Sequence, residues 1–375
     1  MGAASQVPAA DSSNGPTLAL IIALVIIIGG LWSLDVFLAR TERQAVESEA
    51  GDHYRQGLAA LQRGRAGDAV DLLRRAYTME RENRDYQLNY VAALTAARKF
   101  DDAEANIQAL LQSDPNHGPA NLLAARLRVQ ENKFADAESH YHRAIYGAWP
   151  ENAAAHRLRV RLELVQLLRS RGEHEELLAE LLALEAEAHG NVAILKQVAN
   201  LYLTDGSPSR AAYVYRELNQ SNPDDIDDYV GLGEAELAQG DYRTALVAFL
   251  DANRRKPGQL AVQRDIGLSN RMAALDPTPR HLKSADKFAR STEILQLSRA
   301  ALNGCIGPAD PLRRMLDDAD KMLAEKAPAH VTNELAEARL TFAEQLWQAR
   351  TKTCGASTSA EEQPLRLIMA KLAHS

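Results

Sequence analysis

The 375-residue chain has only two cysteines, Cys305 and Cys354, and it has no excess of positive charge. Two cysteines this far apart in the sequence are too few to build a metal-binding motif. The formal net charge is -7, and the acidic residues are spread along the predicted helices. A nucleic-acid-binding protein would carry a basic patch or stripe, so this balance argues against that class.

Motifs that carry catalysis are also missing. Residues 174–178 (HEELL) begin like a zinc-protease helix, but Leu178 stands where the second histidine is needed. Residues 231–233 (GLG) follow no predicted strand, and no Walker-type lysine or nucleophile elbow occurs. We therefore expect a protein that is not an enzyme and has no cofactor or metal site. The alternative is an enzyme or enzyme subunit that uses the C-terminal helical region.

One long apolar run lies near the N-terminus over residues 17–34, and residues 35–38, which include Asp35, extend the span to Leu38. About 20 apolar residues suffice for a helix to cross a bilayer. Trp32 lies near one end, as is typical of an interfacial aromatic residue. A cleaved signal peptide is the rival interpretation, but no basic residue precedes the run. The sequence predicts a disordered tail over 1–16, a transmembrane helix over 17–38 and a helical linker over 39–49.

A 34-residue period follows the linker, since Gly172, Gly206 and Gly240 lie 34 residues apart. Gly64 and Asn132 fall at the same point of the pattern once an insertion of six residues before residue 158 is allowed for. When this residue is numbered position 15, positions 8 and 20 are mostly small and position 24 is bulky. The six units are 50–83, 84–117, 118–151, 158–191, 192–225 and 226–259.

This spacing predicts two packed helices in each unit. Residues three and four apart share one helix face, and small residues at positions 8 and 20 let two helix backbones approach closely. Glycine or asparagine at position 15 can take the left-handed conformation that ends a helix. The pattern resembles the tetratricopeptide repeat family over residues 50–259.

The resemblance, which extends in style to membrane-anchored bacterial members, implies an all-α protein. We expect a right-handed α-solenoid over 50–275, with a capping helix at 260–275, after an N-terminal transmembrane helix. Residues 276–375 show no family pattern and are predicted to form a C-terminal helical domain or cap. Its helices are expected near 283–303, 311–325, 329–352 and 363–373.

In this family the first helix of each unit lines a concave groove that holds an extended peptide or a partner helix. The resemblance implies that the groove is formed mainly by positions 2, 5, 6, 9, 12 and 13. The groove residues expected here are Tyr54, Arg55, Leu58, Gln62, Leu88, Asn89, Leu122, Arg126, Gln130, Gln166, Lys196, Gln197, Asn200, Val230 and Glu234.

Some family members grip a C-terminal carboxylate with a set of lysine, asparagine and arginine side chains. Lys196 and Asn200 match the first pair of that set. Gly231, Ala261 and Asp265 occupy the other three positions, and the charge of Asp265 would repel a carboxylate. We therefore expect no carboxylate clamp in this chain.

Two observations disagree about which side of the membrane carries the repeats. Arg40, Arg43 and Arg55 follow the apolar run and no Lys or Arg precedes it, which favours the cytoplasm. Cys305 and Cys354 flank two predicted antiparallel helices, which would place them within reach of a disulfide. Disulfides persist mainly in oxidising compartments, so the sequence narrowly favours an extracytoplasmic location. Two unpaired thiols are the alternative.

The function expected from the sequence is a membrane-anchored scaffold or adaptor for other proteins or peptides, with no nucleic-acid partner. Residues 17–38 would contact the lipid bilayer. Family analogy alone suggests envelope assembly or secretion as the process. A second alternative is a self-associating membrane protein that uses Gly29 and Ser33 as small contacts four residues apart.

Overall fold

The computed structural model describes residues 15–328 and 330–373. In these ranges the chain forms α-helices and no β-strand beyond a single bridge between His117 and Ala148. The helices are α1 Gly15–Gln62, α2 Ala66–Met79, α3 Arg84–Ala96, α4 Phe100–Ser113, α5 Gly118–Gln130, α6 Phe134–Tyr146, α7 Ala153–Arg171, α8 His174–Glu187, α9 Val192–Thr204, α10 Pro208–Ser221, α11 Ile226–Gln239, α12 Tyr242–Arg255, α13 Leu260–Leu275, α14 Ser284–Asn303, α15 Arg313–Ala324, α16 Asn333–Cys354 and α17 Gln363–Leu372.

The N-terminal segments merge into one helix. Helix α1 runs for 48 residues through the apolar run and the linker into the first helix of the first repeat. Most of the expected disordered tail lies outside the described residues, but its last two residues, 15 and 16, are helical, so that part of the prediction was wrong. Proline is tolerated in the first turn of a helix, and no proline follows Pro16 within α1 that could end it.

The expected pairs of helices are present in every repeat. The chain divides into two compact units, one up to Leu164 and one from Val165 onward. The first unit contains three helix pairs, formed by the end of α1 with α2, by α3 with α4, and by α5 with α6. The second unit contains the pairs α9–α10 and α11–α12, and α7 and α8 supply the remaining repeat. The all-α repeat fold predicted from the sequence is therefore confirmed.

The turn residue has the same backbone conformation in all six repeats. The φ angles are 72° at Gly64, 71° at Gly172, 83° at Gly206 and 84° at Gly240, all in the left-handed region. Asn132 has a φ of 61°, as the pattern predicts for its best substitute for glycine. Arg98, which departs from the pattern, takes the same conformation with a φ of 59°. The fold therefore imposes a left-handed residue here even where the sequence supplies an arginine.

Small residues mark the points where the two helices of a repeat cross. Ala69, Ala103, Ala211 and Ala245 at position 20 are fully buried. A Cβ atom added to Gly233, at position 8, would lie 2.6 Å from the ring of Phe249 at position 24. Such a distance is well inside van der Waals contact, so the crossing has no room for a larger side chain. The small–small–bulky rule read from the sequence thus has a direct steric cause.

The six-residue insertion lengthens a helix instead of forming a loop. It adds residues to the N-terminus of α7, which spans 19 residues. Just before α7, the indole nitrogen of Trp149 donates to the carbonyl of Ala144 at 2.8 Å. The indole ring also stacks on His156, with ring centroids 4.2 Å apart. These contacts fix the entry into α7 within the first unit.

The C-terminal helices build one apolar core with the end of the repeats in the second unit. Tyr242, Met272 and Leu275 share this core with residues of α14–α17, including Leu295 and Leu346. Leu297, Leu302, Met315, Leu323, Leu340 and Phe342 also pack there. The region therefore closes the apolar end of the second unit, as stacked repeats require.

Helices α14 and α16 lie side by side and run in the same direction. The guanidinium of Arg339 donates to the hydroxyl of Thr292 at 3.2 Å, near the start of both helices. Cys305 and Cys354 meet in a disulfide at the other end, with their Cα atoms 6.2 Å apart. Cys354 is the last residue of α16 and does not lie in a loop as expected. The α16 helix extends further because no residue before Gly355 interrupts it.

Cationic side chains from elsewhere in the fold cap the C-termini of three helices in the second unit. The last carbonyls of a helix lack partners within it, and the helix dipole makes that end negative. Arg339, which is 5 % exposed, donates to the carbonyl of Met322 at 2.8 Å near the end of α15. The three caps are Lys371 on α11, Arg290 on α13 and Arg339 on α15. These buried or half-buried charges therefore stabilise helix ends.

Candidate partner-binding surface

In the first unit, the expected groove residues lie on α1, α3 and α5. Tyr54 packs against Tyr86 with ring centroids 4.6 Å apart, and the side-chain amide of Asn89 donates to the hydroxyl of Tyr54 at 2.9 Å. Residues 54 and 89 therefore form one contact between two successive first helices. The aromatic faces and the amide provide a mixed apolar and polar surface of the kind that holds an extended peptide.

The other expected groove residues of the first unit differ in how far their side chains are exposed. Leu58 and Leu88 are half-buried, and Arg55, Gln62 and Gln130 are exposed. Leu122 is only 7 % exposed, so it belongs to the interior and not to an accessible groove. Leu122 is at position 5 of its unit, and its apolar side chain is buried in the core. The expectation for Leu122 as a contact residue was therefore wrong.

Arg126 is held by a carboxylate within the first unit. Its Nε and Nη2 atoms donate to the two carboxylate oxygens of Glu163 at 2.8 and 2.7 Å, and the Tyr141 hydroxyl donates to the same carboxylate at 2.8 Å. Burial opposes ionisation of Glu163, but the hydrogen bonds and charge of Arg126 outweigh it and lower the pKa of Glu163. Burial and the neighbouring charge of Glu163 raise the pKa of Tyr141. Arg126 is therefore already neutralised.

In the second unit, Lys196 is likewise paired with carboxylates of the chain itself. Its ammonium lies 2.5 Å from Asp225 and 3.3 Å from Asp228, which is fully buried. The hydrogen bond from Lys196 lowers the pKa of Asp225, whereas burial raises the pKa of Asp228. Partial burial would lower the pKa of Lys196, but the two carboxylates outweigh it and raise it. An incoming carboxylate would have to compete with two internal ones for this lysine.

The other groove residues expected in the second unit, apart from Glu234, carry uncharged hydrogen-bonding groups or an apolar side chain. Gln166, Gln197 and Asn200 are exposed, and Val230 is half-buried. The side chain of Asn200 hydrogen-bonds to Tyr215, whose pKa burial raises to about 12. The exposed amides can donate and accept, so they suit the backbone of an extended peptide.

Two carboxylates on neighbouring first helices complete this segment. Burial raises the pKa of Glu234 on α11, and the charge of Asp265 on α13 adds to the rise. Burial also raises the pKa of Asp265. No salt bridge joins either carboxylate to a cation of the described residues. The second-unit segment therefore offers free acceptors, while its lysine is engaged.

Sequence reasoning missed several residues that shape this surface. Glu163 occupies position 6 of its unit, a position that the groove rule already includes, so the rule alone could have found it. Asp265 occupies the same position of its unit and was identified from the sequence only as a residue that would repel a carboxylate. Asp228 occupies position 3, which lies outside the groove rule, and Tyr215 occupies position 24, which the repeat pattern assigns to packing. Their roles depend on contacts between repeats, which a single-repeat pattern does not contain.

No group of three or more His, Cys, Asp and Glu side chains in the described ranges is arranged to hold a metal ion. Beyond the groove, α1 is the one helix within those ranges that is long and apolar enough to cross a bilayer. Near an N-terminus, the same length and composition are also found in signal sequences. The side chains of residues 20–34 are exposed throughout.

Comparisons with known proteins agree with the helix register. The tetratricopeptide repeat family model matches residues 60–127 and 94–146. No curated protein matches the chain. Among solved structures, Pseudomonas aeruginosa pilF is 16 % identical with a TM-score of 0.38, and the match covers 59 % of this chain and 97 % of that one.

Two further solved structures show a similarly distant likeness. The TPR domain of P58(IPK) is 13 % identical with a TM-score of 0.30, covering 87 % of this chain and 98 % of that one. The TPR2AB domain of yeast Sti1, solved as a complex with pHSP90, is 12 % identical with a TM-score of 0.29, covering 74 % and 99 %. The family model matches residues 60–146, which is less than half of the chain. This stretch therefore resembles the tetratricopeptide repeat family, and the turn residue keeps the same left-handed conformation in all six repeats.

Proposed function

We propose that the chain is a membrane-anchored scaffold whose first helices bind extended segments of other proteins. The observation that carries the proposal is the surface of exposed amides and half-buried apolar groups on successive first helices. Gln197, Asn200 and Val230 in the second unit are its clearest part. Tetratricopeptide repeats form protein-protein interaction scaffolds, so the family and the surface point to the same activity.

The charges of the surface favour one kind of peptide over another. Lys196 and Arg126 are both neutralised by internal carboxylates, so neither is available to an acidic tail. Glu234 and Asp265 lack cationic partners among the described residues, and an Arg or Lys of the bound segment would relieve the cost of their ionisation. The proposed partner therefore presents basic and apolar side chains and does not present a terminal carboxylate.

Anchoring is proposed from α1. The apolar part of this helix exposes large side chains, which would be costly in water but favourable in lipid. The helix continues without a break into the first repeat, so the span and the repeats would be joined by a stiff connection. About 12 residues separate the end of the span from the first repeat, which corresponds to roughly 18 Å of helix.

We further propose that the repeats lie on the extracytoplasmic side. The disulfide between Cys305 and Cys354 supports this side, because disulfides persist in oxidising compartments. The positive charges that follow the span support the opposite side. Labelling of non-reduced cells with a membrane-impermeant maleimide, before and after reduction, tests the proposal. Modification only after reduction is expected, whereas two thiols that react without reduction would contradict it. Envelope assembly or secretion remains the process suggested by family analogy.

The binding proposal is tested by crosslinking in native membranes, followed by identification of the captured proteins. The test variant carries Gln197→Ala, Asn200→Ala and Glu234→Ala, which change three exposed groove positions and leave the pairing of Lys196 with Asp225 intact. The matched control carries Tyr213→Ala, Val247→Ala and Leu250→Ala, which alter exposed side chains of the second helices. Loss of captured proteins from the test variant alone is expected. An unchanged set from the test variant would reject the groove as the contact surface.

A further inference from the structure

A second site lies away from the groove, in a cleft between α16 and α17. The cleft has a volume of about 580 Å³, within the usual range for small-molecule sites. Its apolar lining comes from Trp347 on α16 and from Met369, Ala370 and Ala373 on α17. The proposed scaffold function does not use these residues.

Each helix presents a continuous stripe to the cleft. Residues Glu344, Gln348, Thr351 and Lys352 follow one face of α16 at helical spacing, and Arg366, Met369, Ala370 and Ala373 do so on α17. The stripe on α16 runs from residue 344 to residue 352, nine residues, and its ends lie about 12 Å apart along the helix axis. The space between the stripes is therefore an elongated slot with an apolar floor.

The two ends of the slot carry opposite charge. Arg350 near the end of α16 pairs with Glu362 before α17 at 3.0 Å, and Arg366 donates to the carbonyl of Ser357 at 2.6 Å. These contacts place the start of α17 beside the end of α16, so the two helices run antiparallel. Lys352 and Arg366 consequently lie at one end of the slot, and Glu344 lies toward the other.

The cations at the first end are not neutralised. Neither Lys352 nor Arg366 forms a salt bridge to any carboxylate of the described residues, whereas the neighbouring Arg350 does. Arg366 uses one nitrogen for the Ser357 carbonyl and keeps its other donors available. The slot therefore combines a narrow apolar body with a cationic mouth.

We propose that this slot binds a free single-chain fatty acid, with its carboxylate at Lys352 and Arg366 and its acyl chain along Trp347 and Met369. The combination of an apolar floor with two cations at one end favours an acyl carboxylate over an uncharged apolar ligand. Burial of methylene groups against the apolar floor supplies the binding free energy. The cationic mouth sets the orientation of the ligand.

The test uses the full chain in lipid nanodiscs and a dodecanoate analogue with a diazirine on its chain. After photolysis, the labelled peptides are identified by mass spectrometry. Labels on residues of 344–352 and 366–373 are expected, and excess dodecanoate should displace them. Labelling confined to α1 would overturn the proposal, because the probe would then report only lipid contact.

Variants separate the slot from its surroundings. Ala370→Trp should fill the slot and abolish the specific label, whereas Leu250→Trp, at an exposed position on α12, should leave the label unchanged. Lys352→Glu should weaken labelling roughly fivefold, and Glu344→Lys should not weaken it. Thermal unfolding of each variant checks that the second unit stays folded.

Two outcomes would contradict the proposed ligand. If dodecanol displaced the probe as well as dodecanoate does, the carboxylate would have no part in binding. If a protein in native membranes crosslinked to position 370 even in saturating dodecanoate, the slot would be a protein-docking surface. Retention of the label in the Ala370→Trp variant would also overturn the assignment. None of these results depends on what the groove binds.

Discussion

The ammonium of Lys371 lies 2.7 Å from the carboxylate of Asp276 and also donates to the carbonyl of Gly240 at 2.8 Å. One side chain of the last helix thus ties together the turn between α11 and α12 and the end of α13. Asp276 is 4 % exposed, and Lys371 is the cation paired with its carboxylate among the described residues. The contact attaches α17 to the end of the repeats.

Replacing Lys371 should therefore loosen α17. Lys371→Met leaves the Asp276 carboxylate buried without its cation, which is expected to cost about 2–4 kcal/mol. Thermal unfolding and hydrogen exchange of residues 363–372 provide the measurement. Lys321→Met is the control, because the pair of Lys321 with Asp318 lies on the surface, and no measurable change is expected there. Equal effects of the two substitutions would contradict the role of Lys371.

Two glycines at the same repeat position should respond in opposite directions to alanine. A Cβ at Gly233 meets the ring of Phe249 at 2.6 Å, whereas a Cβ at Gly267 meets nothing within 4 Å. We expect Gly233→Ala to destabilise the second unit by about 1–3 kcal/mol through overpacking. Gly267→Ala should stabilise it by about 0.5–1 kcal/mol, because alanine is the better helix former. Denaturant unfolding measures both, and changes of the same sign would contradict the repeat register.

Replacing Arg98, which has a left-handed backbone conformation, should stabilise the protein. Arg98 has a φ of 59°, a conformation that costs a residue with a Cβ roughly 1–2 kcal/mol relative to its usual region. Arg98→Gly should relieve this and raise the midpoint of thermal unfolding, despite the greater flexibility of glycine in the unfolded chain. Asn132→Gly is the matched variant and should gain less, since asparagine tolerates this conformation. A loss of stability in Arg98→Gly would show that the arginine side chain is needed there.

Stability of the second unit should fall as pH rises through the titration of Glu234 and Asp265. Both pKa values are raised in the folded state, so the unfolded chain loses these protons first and the folded state is penalised at higher pH. Glu234→Gln should therefore be more stable than the wild type at neutral pH. The difference should vanish below about pH 4, where both carboxyl groups are protonated in either state.

Unfolding measured from pH 3 to 8 checks this dependence, and the double variant with Asp265→Asn provides the control. Because the charge of Asp265 contributes to the shift at Glu234, the double variant should gain less than the sum of the two single variants. A Glu234→Gln variant that is less stable than the wild type at neutral pH would show that the carboxylate has a cationic partner.

The sequence predicted those features that a single repeat contains. Position 15 is left-handed in all six units and position 20 is buried, because both follow from contacts within one pair of helices. The ion pairing and the burial of the groove residues could not be predicted in the same way. Lys196 is neutralised by Asp225 and Asp228 across a repeat boundary, and Leu122 is drawn into the interior. The arginine caps of the C-terminal helices likewise depend on which helices become neighbours, which no local pattern encodes.

The most direct test of the scaffold proposal is site-specific photocrosslinking in native membranes. A photoreactive residue is placed at Asn200 or Glu234 on the first helices, and at Tyr213 or Val247 on the exposed face of the second helices. The account predicts discrete protein adducts from positions 200 and 234 and none from positions 213 and 247. Adducts only from positions 213 and 247 would contradict it, because partners would then bind the opposite face of the repeats.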